Sequence, residues 1–387
     1  MSVVRDGNDI ALLENGEAYF PLLEAAIDAA RREVHLETYL FADDRTGWRI
    51  AEALMRAARR GVDVRVLVDG FGGRPFVERI MTVLEATGVS VRVYRREVKG
   101  QMRLQRHRLR RMHRKIALID AHTAFVGGIN IIDDYTPGAP PYPRYDYAVR
   151  IKGPLVVDIA ATLRRLWWVV SWAALQHRDF SPPRAPVPHG DVCGDTRAAL
   201  VIRDNLGHRH DIEDAYLHAI ANAREEIVIA CAYFFPGRRF RQALVDAARR
   251  GVRVILLLQG LADHPMMAYA TRALYPYFLS HDIRLFEYHR SYLHAKVAVV
   301  DDSWATVGSS NIDPFSLLLA REANIVVRDA EFSQALRLSL ERAMVSGALE
   351  LRREDWQRLP RLRRLATWFA YQFVRFVIGL AGFRDKH

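Results

Sequence analysis

Two segments of the sequence carry the same spacing of reactive side chains, His-x-Lys-x-x-x-x-Asp. The first segment reads HRKIALID and starts at His113, and the second reads HAKVAVVD and starts at His294. An asparagine follows each histidine after 17 residues, at Asn130 and Asn311. One short pattern of this kind is weak evidence, but two copies with a matching asparagine indicate a functional site. The candidate catalytic residues are His113, Lys115, Asp120, His294, Lys296 and Asp301.

These residue types suit chemistry on a phosphate diester. An imidazole can attack phosphorus or protonate a leaving oxygen, so two histidines can divide the two tasks. Ammonium and amide groups can hold the non-bridging phosphate oxygens. Lysine is a poor metal ligand, and neither segment has a second His or Cys at ligand spacing, so no metal is predicted. The candidate phosphate-binding residues are Lys115, Lys296, Asn130, Asn311 and Ser309.

Each histidine also needs a carboxylate that orients its ring and raises its basicity. Asp146, in YDYAVRIKGP, and Glu322, in REANIVVRD, each open an apolar run after one of the two asparagines. We predict that these two acids orient the histidines. Asp120 and Asp301 are the alternatives, although their expected position at strand ends also suits a structural role.

Strands must position these groups. The apolar runs 116–119 and 297–300 predict a strand after each histidine. Residues two apart on a strand point to the same face, so each histidine is expected to share a face with its lysine. Two Gly-containing segments, Gly127-Gly128 and Gly308-Ser309, follow a second short strand and allow close approach of the backbone.

The chain is an internal duplication. Residues 57–70 read AARRGVDVRVLVDG and residues 247–260 read AARRGVRVILLLQG, an offset of 190 residues. The pairs Arg60-Gly61 and Arg250-Gly251 predict a helix end in each repeat, with glycine as the left-handed cap. Helical and strand patterns alternate in both halves, which predicts a mostly parallel α/β sheet with helices on its faces. We predict two related domains, residues 1–180 and 195–350, joined by the Pro- and Gly-rich segment 178–195 and packed around one cleft.

The composition restricts the class of protein. The 387 residues are 50% hydrophobic and 26% charged, which excludes a disordered or fibrous chain. The formal charge of +11 favours a polyanionic partner, either nucleic acid or an anionic membrane. Two cysteines, Cys193 and Cys231, argue against a disulfide scaffold, and the start of the sequence does not resemble a signal peptide. We therefore expect a reducing, cytoplasmic setting.

Two segments could meet a membrane. Residues 92–115 hold eleven Lys or Arg and one acid, immediately before the first catalytic strand. Residues 361–387 combine arginines with many aromatic residues. Because Arg375 would be costly inside a bilayer, we predict an interfacial helix rather than a spanning one. The alternatives are a solvated basic loop and a helix packed on the protein core.

The doubled pattern resembles that of the phospholipase D superfamily, and the segments around it resemble bacterial cardiolipin synthases, most closely those of the B type. The resemblance covers about residues 5–345. The main cardiolipin synthases carry two N-terminal membrane helices, and no such segment is recognised in this sequence. The segments that carry the resemblance are LLENGEAYFPLLEAAI, LETYLF, AARRGVDVRVLVDGFGG, RRMHRKIALIDAHTAFVGGIN, YFFPGRRF and HAKVAVVDDSWATVGSSNIDPFSL.

The resemblance implies two tandem phospholipase D-like α/β domains, each a mixed sheet flanked by helices, with one active site at their interface. It implies transfer of a phosphatidyl group from one phosphatidylglycerol to another, giving cardiolipin and glycerol, without a metal or another cofactor. The implied intermediate is a phosphohistidine at His113, with His294 as acid and then base. Together with the basic segment 92–115 and the C-terminal segment 361–387, the resemblance predicts a peripheral protein on the cytoplasmic face of the bacterial inner membrane.

The sequence is also compatible with other functions. The acceptor could be another alcohol, phosphatidylethanolamine or water, and the last would give phospholipase D hydrolysis. A nuclease of the same superfamily would also suit the positive charge, but the aromatic C-terminal segment has no evident use on DNA. A lipid-binding scaffold with a decayed site is disfavoured because both motifs are intact. The sequence does not determine the oligomeric state.

Overall fold

The computed structural model describes residues 3–95, 111–135, 140–173, 190–204, 207–261, 265–313, 316 and 319–354, and residues 365, 367, 369–374 and 376 of the C-terminal segment. The strands in these ranges are β1 (Arg5–Glu14), β2 (Glu33–Thr38), β3 (Asp63–Asp69), β4 (Ser90–Tyr94), β5 (Lys115–Ile119), β6 (Thr123–Gly127), β7 (Tyr147–Lys152), β8 (Thr196–Arg203), β9 (Glu226–Cys231), β10 (Arg253–Gln259), β11 (Arg284–Tyr288), β12 (Lys296–Val300), β13 (Trp304–Gly308), β14 (Glu322–Arg328) and β15 (Ala348–Leu351). The helices are α1 (Asn15–Ala29), α2 (Arg45–Arg59), α3 (Arg74–Ala86), α4 (Leu155–Ala173), α5 (Asp211–Asn222), α6 (Arg238–Arg249), α7 (Pro265–Arg272), α8 (Tyr275–Leu279) and α9 (Ala330–Gly347).

The duplicated segments form the same local structure in both halves. Helices α2 and α6 end at Arg59 and Arg249, with Arg60 and Arg250 as C-cap residues, and the glycine after each C-cap has a φ of +85° or +90°. L-residues with a side chain rarely adopt this left-handed conformation, so Gly61 and Gly251 stop the helices and direct the chain into β3 and β10. This confirms the helix ends expected from the Arg-Gly pairs.

The strands form one mixed sheet, which confirms the α/β class. Within it, β2, β3 and β4 are parallel, as are β9, β10 and β11. The expectation of a mostly parallel sheet is wrong, because the strands after each histidine return directly as antiparallel neighbours. Thus β5 pairs antiparallel with β2 and β6, and β12 pairs antiparallel with β9 and β13.

The two halves of the sheet are joined and also packed face to face. Strand β1 pairs antiparallel with β8, and strands β6 and β7 lie against β13 and β14. The inner faces of both halves, together with α4 and α9, form one apolar core. Helices α1–α3 cover the outer face of the first half, and α5–α8 cover that of the second. Inward-facing apolar residues on both halves therefore fix how the two motif segments meet.

Several segments singled out in the sequence are only partly described. Their residues outside the described part of the chain are 96–110 of the basic segment 92–115, most of the joining segment 178–195, and 361–364, 366, 368, 375 and 377–387 of the C-terminal segment. Arg375, on which the prediction of an interfacial helix depends, is therefore among the residues that are not described. Among the residues that are described, no helix is both long and apolar enough to cross a membrane.

Candidate active site

Both histidines lie where the two halves of the sheet meet. His113 precedes β5 and His294 precedes β12. The backbone N–H of His113 donates a hydrogen bond to the carbonyl oxygen of Arg321 at 2.9 Å, and the N–H of His294 donates to that of Tyr145 at 2.7 Å. Each motif segment is thus bonded to the residue directly before a predicted orienting acid, Glu322 or Asp146, of the other half.

Each histidine side chain is paired with a carboxylate from the other half. His113 Nδ1 lies 3.0 and 3.1 Å from the two carboxylate oxygens of Glu322, and His294 Nδ1 lies 2.5 Å from Asp146 Oδ2. A ring whose Nδ1–H donates to a carboxylate has its lone pair on Nε2 when it is neutral. This tautomer is the one that can attack phosphorus or accept a proton.

Burial controls the protonation of the two pairs. It lowers the pKa of His113 and, more strongly, that of His294. Burial also raises the pKa of Asp146 to about 6. At pH 7 the second pair is therefore an ionised carboxylate beside a neutral imidazole, the form required of a base.

The two motif lysines lie beside their histidines. Lys115 Nζ donates to the carbonyl oxygen of His113 at 2.5 Å, and Lys296 Nζ donates to that of His294. Both lysines are buried, and burial lowers the pKa of Lys296 and brings that of Lys115 to about 7. Tyr39 covers the side chains of His113 and Lys115, with its ring centroid 4.8 Å from that of His113 and 5.4 Å from Lys115 Nζ.

The two asparagines are anchored alike. Asn130 Oδ1 accepts a hydrogen bond from Leu40 N at 3.2 Å, and Asn311 Oδ1 accepts one from Tyr233 N at 3.4 Å. Leu40 and Tyr233 lie just beyond β2 and β9, beside the motif strands β5 and β12. With the carbonyl oxygens engaged, the amide nitrogens are the groups that the asparagines can offer to a phosphate oxygen.

The serine of the second Gly-Ser segment positions an acid. Ser309 Oγ donates to Glu322 Oε2 at 2.5 Å, on the carboxylate that holds His113. Gly128 occupies the matching position in the first half, where a Cβ would lie only 2.3 Å from Asp146 Oδ1. The shorter Asp146 therefore sits against glycine, while the longer Glu322 is held by a serine hydroxyl.

The structure does not bring Asp120 and Asp301 to the histidines. They follow the far ends of β5 and β12, five strand residues or roughly 16 Å from the reactive end. The Asp120 carboxylate accepts backbone hydrogen bonds from residues 31, 32 and 33, and Asp301 accepts them from residues 224, 225 and 226. Both acids therefore secure the start of a neighbouring strand, β2 or β9, which is the structural role weighed for them.

Two residues that sequence reasoning missed fix the backbone before each histidine. Asp69 Oδ2 accepts a hydrogen bond from Met112 N at 2.8 Å, and Gln259 Oε1 accepts one from Leu293 N at 2.6 Å. Asp69 and Gln259 hold equivalent positions at the ends of β3 and β10. The duplicated endings VLVDG and LLLQG, each with a polar residue after an apolar run, were the available signal.

A cavity of about 310 Å³ opens on one of the two histidines. Its lining includes residues of both halves. Among the described residues, His113 lines this cavity and His294 does not. A larger cavity of about 890 Å³ lies between α9 and the start of α1, and neither histidine lines it. Among the described residues, no cluster of three or more His, Cys, Asp or Glu is arranged as a metal site. The smaller cavity is lined by Tyr39, Arg111, His113, Tyr233, Met266, Met267, Asn311, Asp313, Ser316 and Ala320.

Solved structures with low sequence identity have the same fold. Phosphatidylserine synthase from Haemophilus influenzae superposes with a TM-score of 0.71 at 13% identity, covering 96% of this chain and 94% of that one. Polyphosphate kinase from Porphyromonas gingivalis gives a TM-score of 0.59 at 16% identity, covering 96% of this chain and 53% of that one. At these identities the likeness concerns the fold alone.

Sequence relatives are much closer. Cardiolipin synthase B of Escherichia coli (strain K12) is 40% identical over 401 residues, covering 99% of this chain and 92% of the relative. Probable cardiolipin synthase YwiE of Bacillus subtilis is 30% identical over 87% of this chain and 66% of its own length. The family described as "Cardiolipin synthase, PLD-like domain" matches residues 23–167 and 216–344. The chain therefore belongs to the phospholipase D-like family of cardiolipin synthases.

Proposed function

We propose that this protein transfers a phosphatidyl group from one phosphatidylglycerol to a second, giving cardiolipin and glycerol. The observation that carries the proposal is the pair of carboxylate-bound histidines, His113 with Glu322 and His294 with Asp146, in a chain of the cardiolipin synthase family. Such a pair can supply a nucleophile and an acid–base group at one phosphorus, which a two-step transfer needs.

In the first step His113 Nε2 attacks the phosphorus of the donor lipid. The bond between nitrogen and phosphorus forms while the bond from phosphorus to the headgroup glycerol oxygen breaks. His294 gives its proton to that oxygen, and glycerol leaves. Lys115, Lys296 and the two asparagine amides hold the non-bridging oxygens, whose negative charge increases in the transition state.

In the second step the acceptor lipid reverses these roles. A headgroup hydroxyl of the second phosphatidylglycerol attacks phosphorus, and His294 Nε2 takes the hydroxyl proton. The bond between phosphorus and His113 breaks, which releases cardiolipin and restores the free enzyme. The negatively charged phosphate of the bound donor favours the charged imidazole, so lipid binding raises the pKa of His294 and lets it enter the first step protonated. His294 is then neutral when the acceptor attacks, and it regains its proton in the second step.

Other acceptors use the same intermediate. Phosphatidylethanolamine, another alcohol or water could attack the phosphohistidine, and water would give phosphatidic acid. Nucleic acid is a less suitable substrate, because the cavity at His113 has the apolar side chains Met266 and Met267 in its lining. A non-catalytic lipid-binding role would leave the buried His, Lys and carboxylate groups without a use.

The protein is further proposed to work as a peripheral protein on the anionic, cytoplasmic face of the bacterial cell membrane. The described part of the C-terminal segment supports this placement. Val374 packs in the apolar core of the second half, while four large apolar side chains of the same helical segment are exposed. Their spacing of four, four and three residues places them on one helix face. The exposed residues are Leu365, Phe369, Phe373 and Phe376.

Purified protein with phosphatidylglycerol labelled in the headgroup glycerol tests the proposal. We expect cardiolipin and labelled free glycerol in equal amounts. Because glycerol carries this label away and the nitrogen–phosphorus bond of a phosphohistidine is acid-labile, the phosphoenzyme is trapped separately with lipid labelled at phosphorus and an alkaline quench, and it should require His113. Phosphatidic acid in place of cardiolipin would indicate hydrolysis, and nicking of plasmid DNA without lipid products would indicate a nuclease. Absence of all products would leave the scaffold as the better interpretation.

A further inference from the structure

The two halves of the duplication use one pair of equivalent helices differently. Helix α3 follows β3 and buries Phe76, Ile80 and Leu84 in the first-half core. Its counterpart α7 follows β10 and buries only Ala270 and Thr271. Two adjacent methionines at the start of α7, Met266 and Met267, line the cavity at His113, and Met267 also packs against the second-half core. Helix α7 therefore adds an apolar cavity wall to its smaller share of core packing.

The lining of the cavity combines polar and apolar groups. His113, Asn311 and Arg111 offer an imidazole, an amide and a guanidinium, while Met266, Met267 and Ala320 offer hydrocarbon surface. A phosphodiester bound at His113 with an apolar substituent would match both parts. Methionine is unbranched and flexible, so it adapts to hydrocarbon of variable shape.

Exposed apolar side chains from both halves lie in the lining of this cavity or against a lining residue. Met266 is 49% exposed, and Phe71, from the loop after β3, is 54% exposed. The guanidinium of Arg111, a lining residue, lies 4.8 Å from the centre of the Phe71 ring. Exposed apolar groups beside a cationic group are typical of surfaces that contact anionic lipid.

We infer that α7 forms a subsite for the diacylglycerol part of the phospholipid, with Met267 on its wall and with Met266 and Phe71 at its membrane-facing mouth. This inference rests on the proposed function, in which the phosphatidyl group stays bound to His113 while glycerol leaves and the acceptor enters. The retained apolar group needs a place on the His113 side, where the cavity lies. A cavity of about 310 Å³ is small for a whole lipid, so the acyl chains extend through the mouth into the bilayer.

The dependence of activity on acyl-chain length tests whether Met267 forms a wall of the subsite. The kcat/KM of the wild type would be compared for dibutanoyl- and dihexanoyl-phosphatidylglycerol, both presented as monomers. Each methylene that leaves water contributes about fourfold, so the longer lipid should be preferred. Met267→Gln keeps the length of the side chain and adds a polar amide, and it should reduce this preference about fivefold or more.

Met81→Gln is the matched control, because Met81 is also half-buried but lies on α3 against the first-half core. It should keep the wild-type preference. An unchanged preference in Met267→Gln would overturn the subsite while leaving cardiolipin synthesis intact. Failure of the wild type to form cardiolipin would instead contradict the proposed function, and the chain-length preference would then be measured on whatever lipid product forms.

A second variant tests the mouth independently of the wall. The double variant Phe71→Gln/Met266→Gln should lose activity on phosphatidylglycerol vesicles about tenfold more than on monomeric dihexanoyl lipid, because only vesicle substrate must leave a bilayer. Equal losses on the two substrates would contradict a membrane-facing mouth. If Met267→Gln does not fold, this comparison decides the inference.

Discussion

His294 Nδ1 and Asp146 Oδ2 lie 2.5 Å apart although 148 residues separate them in the chain. The same relationship holds in reverse between His113 and Glu322, which are 209 residues apart. Each half of the duplication thus supplies the acid for the histidine of the other half. Neither half has a complete histidine–carboxylate pair by itself, so the pairing requires both halves to be folded and packed.

Removing one carboxylate should reduce the chemical step with little effect on binding. We expect Asp146→Asn and Glu322→Gln each to lower kcat about 10²–10⁴-fold, because the paired imidazole loses its orientation and its preferred tautomer. Steady-state kinetics with unchanged thermal unfolding would check this. Glu322→Gln should add little to His113→Ala, since the acid acts through that histidine. Independent, multiplicative losses would contradict the pairing.

The alkaline limb of the pH profile of kcat/KM should reflect the deprotonation of Lys115. Burial brings its pKa to about 7, and only the protonated lysine neutralises a phosphate, so kcat/KM should fall as the pH rises above about 7. The Asp69 carboxylate raises the pKa of Lys115, and Asp69→Asn should therefore move this limb to lower pH. Asp28→Asn, which removes a surface partner of Arg56, is the control and should not move it. A limb that stays in place in Asp69→Asn would exclude this assignment.

The motif aspartates should matter for stability rather than for turnover. Asp120→Ala and Asp301→Ala each remove a carboxylate that accepts three backbone N–H groups. We expect the free energy of unfolding to fall by about 2 kcal/mol in each variant, with kcat of the folded enzyme close to that of the wild type. Urea unfolding and kinetics on the same samples would check both parts. If kcat instead falls as much as in His113→Ala, without a loss of stability, these two acids take part in the chemical step.

The exposed face of the C-terminal helical segment should bind membranes. The triple variant Phe369→Ser/Phe373→Ser/Phe376→Ser should weaken binding to phosphatidylglycerol vesicles at least about tenfold, because three aromatic side chains no longer leave water. Vesicle co-sedimentation measures this directly. Leu338→Ser/Val345→Ser, which changes exposed apolar residues on α9, is the control. Equal vesicle binding by the triple variant and the wild type would rule out this face as a membrane-binding surface. Substitution is a cleaner test than deletion of residues 361–387, which would also remove Val374 from the core.

Local patterns in the sequence determined much of this protein. Periodic apolar residues predicted the motif strands β5 and β12, and the Arg-Gly pairs predicted the ends of α2 and α6, because both depend on neighbouring residues only. The doubled spacing His-x-Lys-x-x-x-x-Asp, with Asn130 and Asn311, was enough to indicate phosphodiester chemistry and a duplicated fold. The sequence also identified Asp146 and Glu322 as candidate acids.

Only the tertiary structure decided how these groups combine. It paired Asp146 with His294 and Glu322 with His113, since such contacts depend on how two halves of a sheet pack and not on spacing along one strand. It placed Asp120 and Asp301 against the backbone of β2 and β9, although their motif suggested chemistry. It also revealed Asp69 and Gln259, whose single polar positions are unremarkable until the chain brings Met112 and Leu293 to them. Contacts between residues 34 to 209 positions apart follow from the packing of whole strands, which no local pattern records.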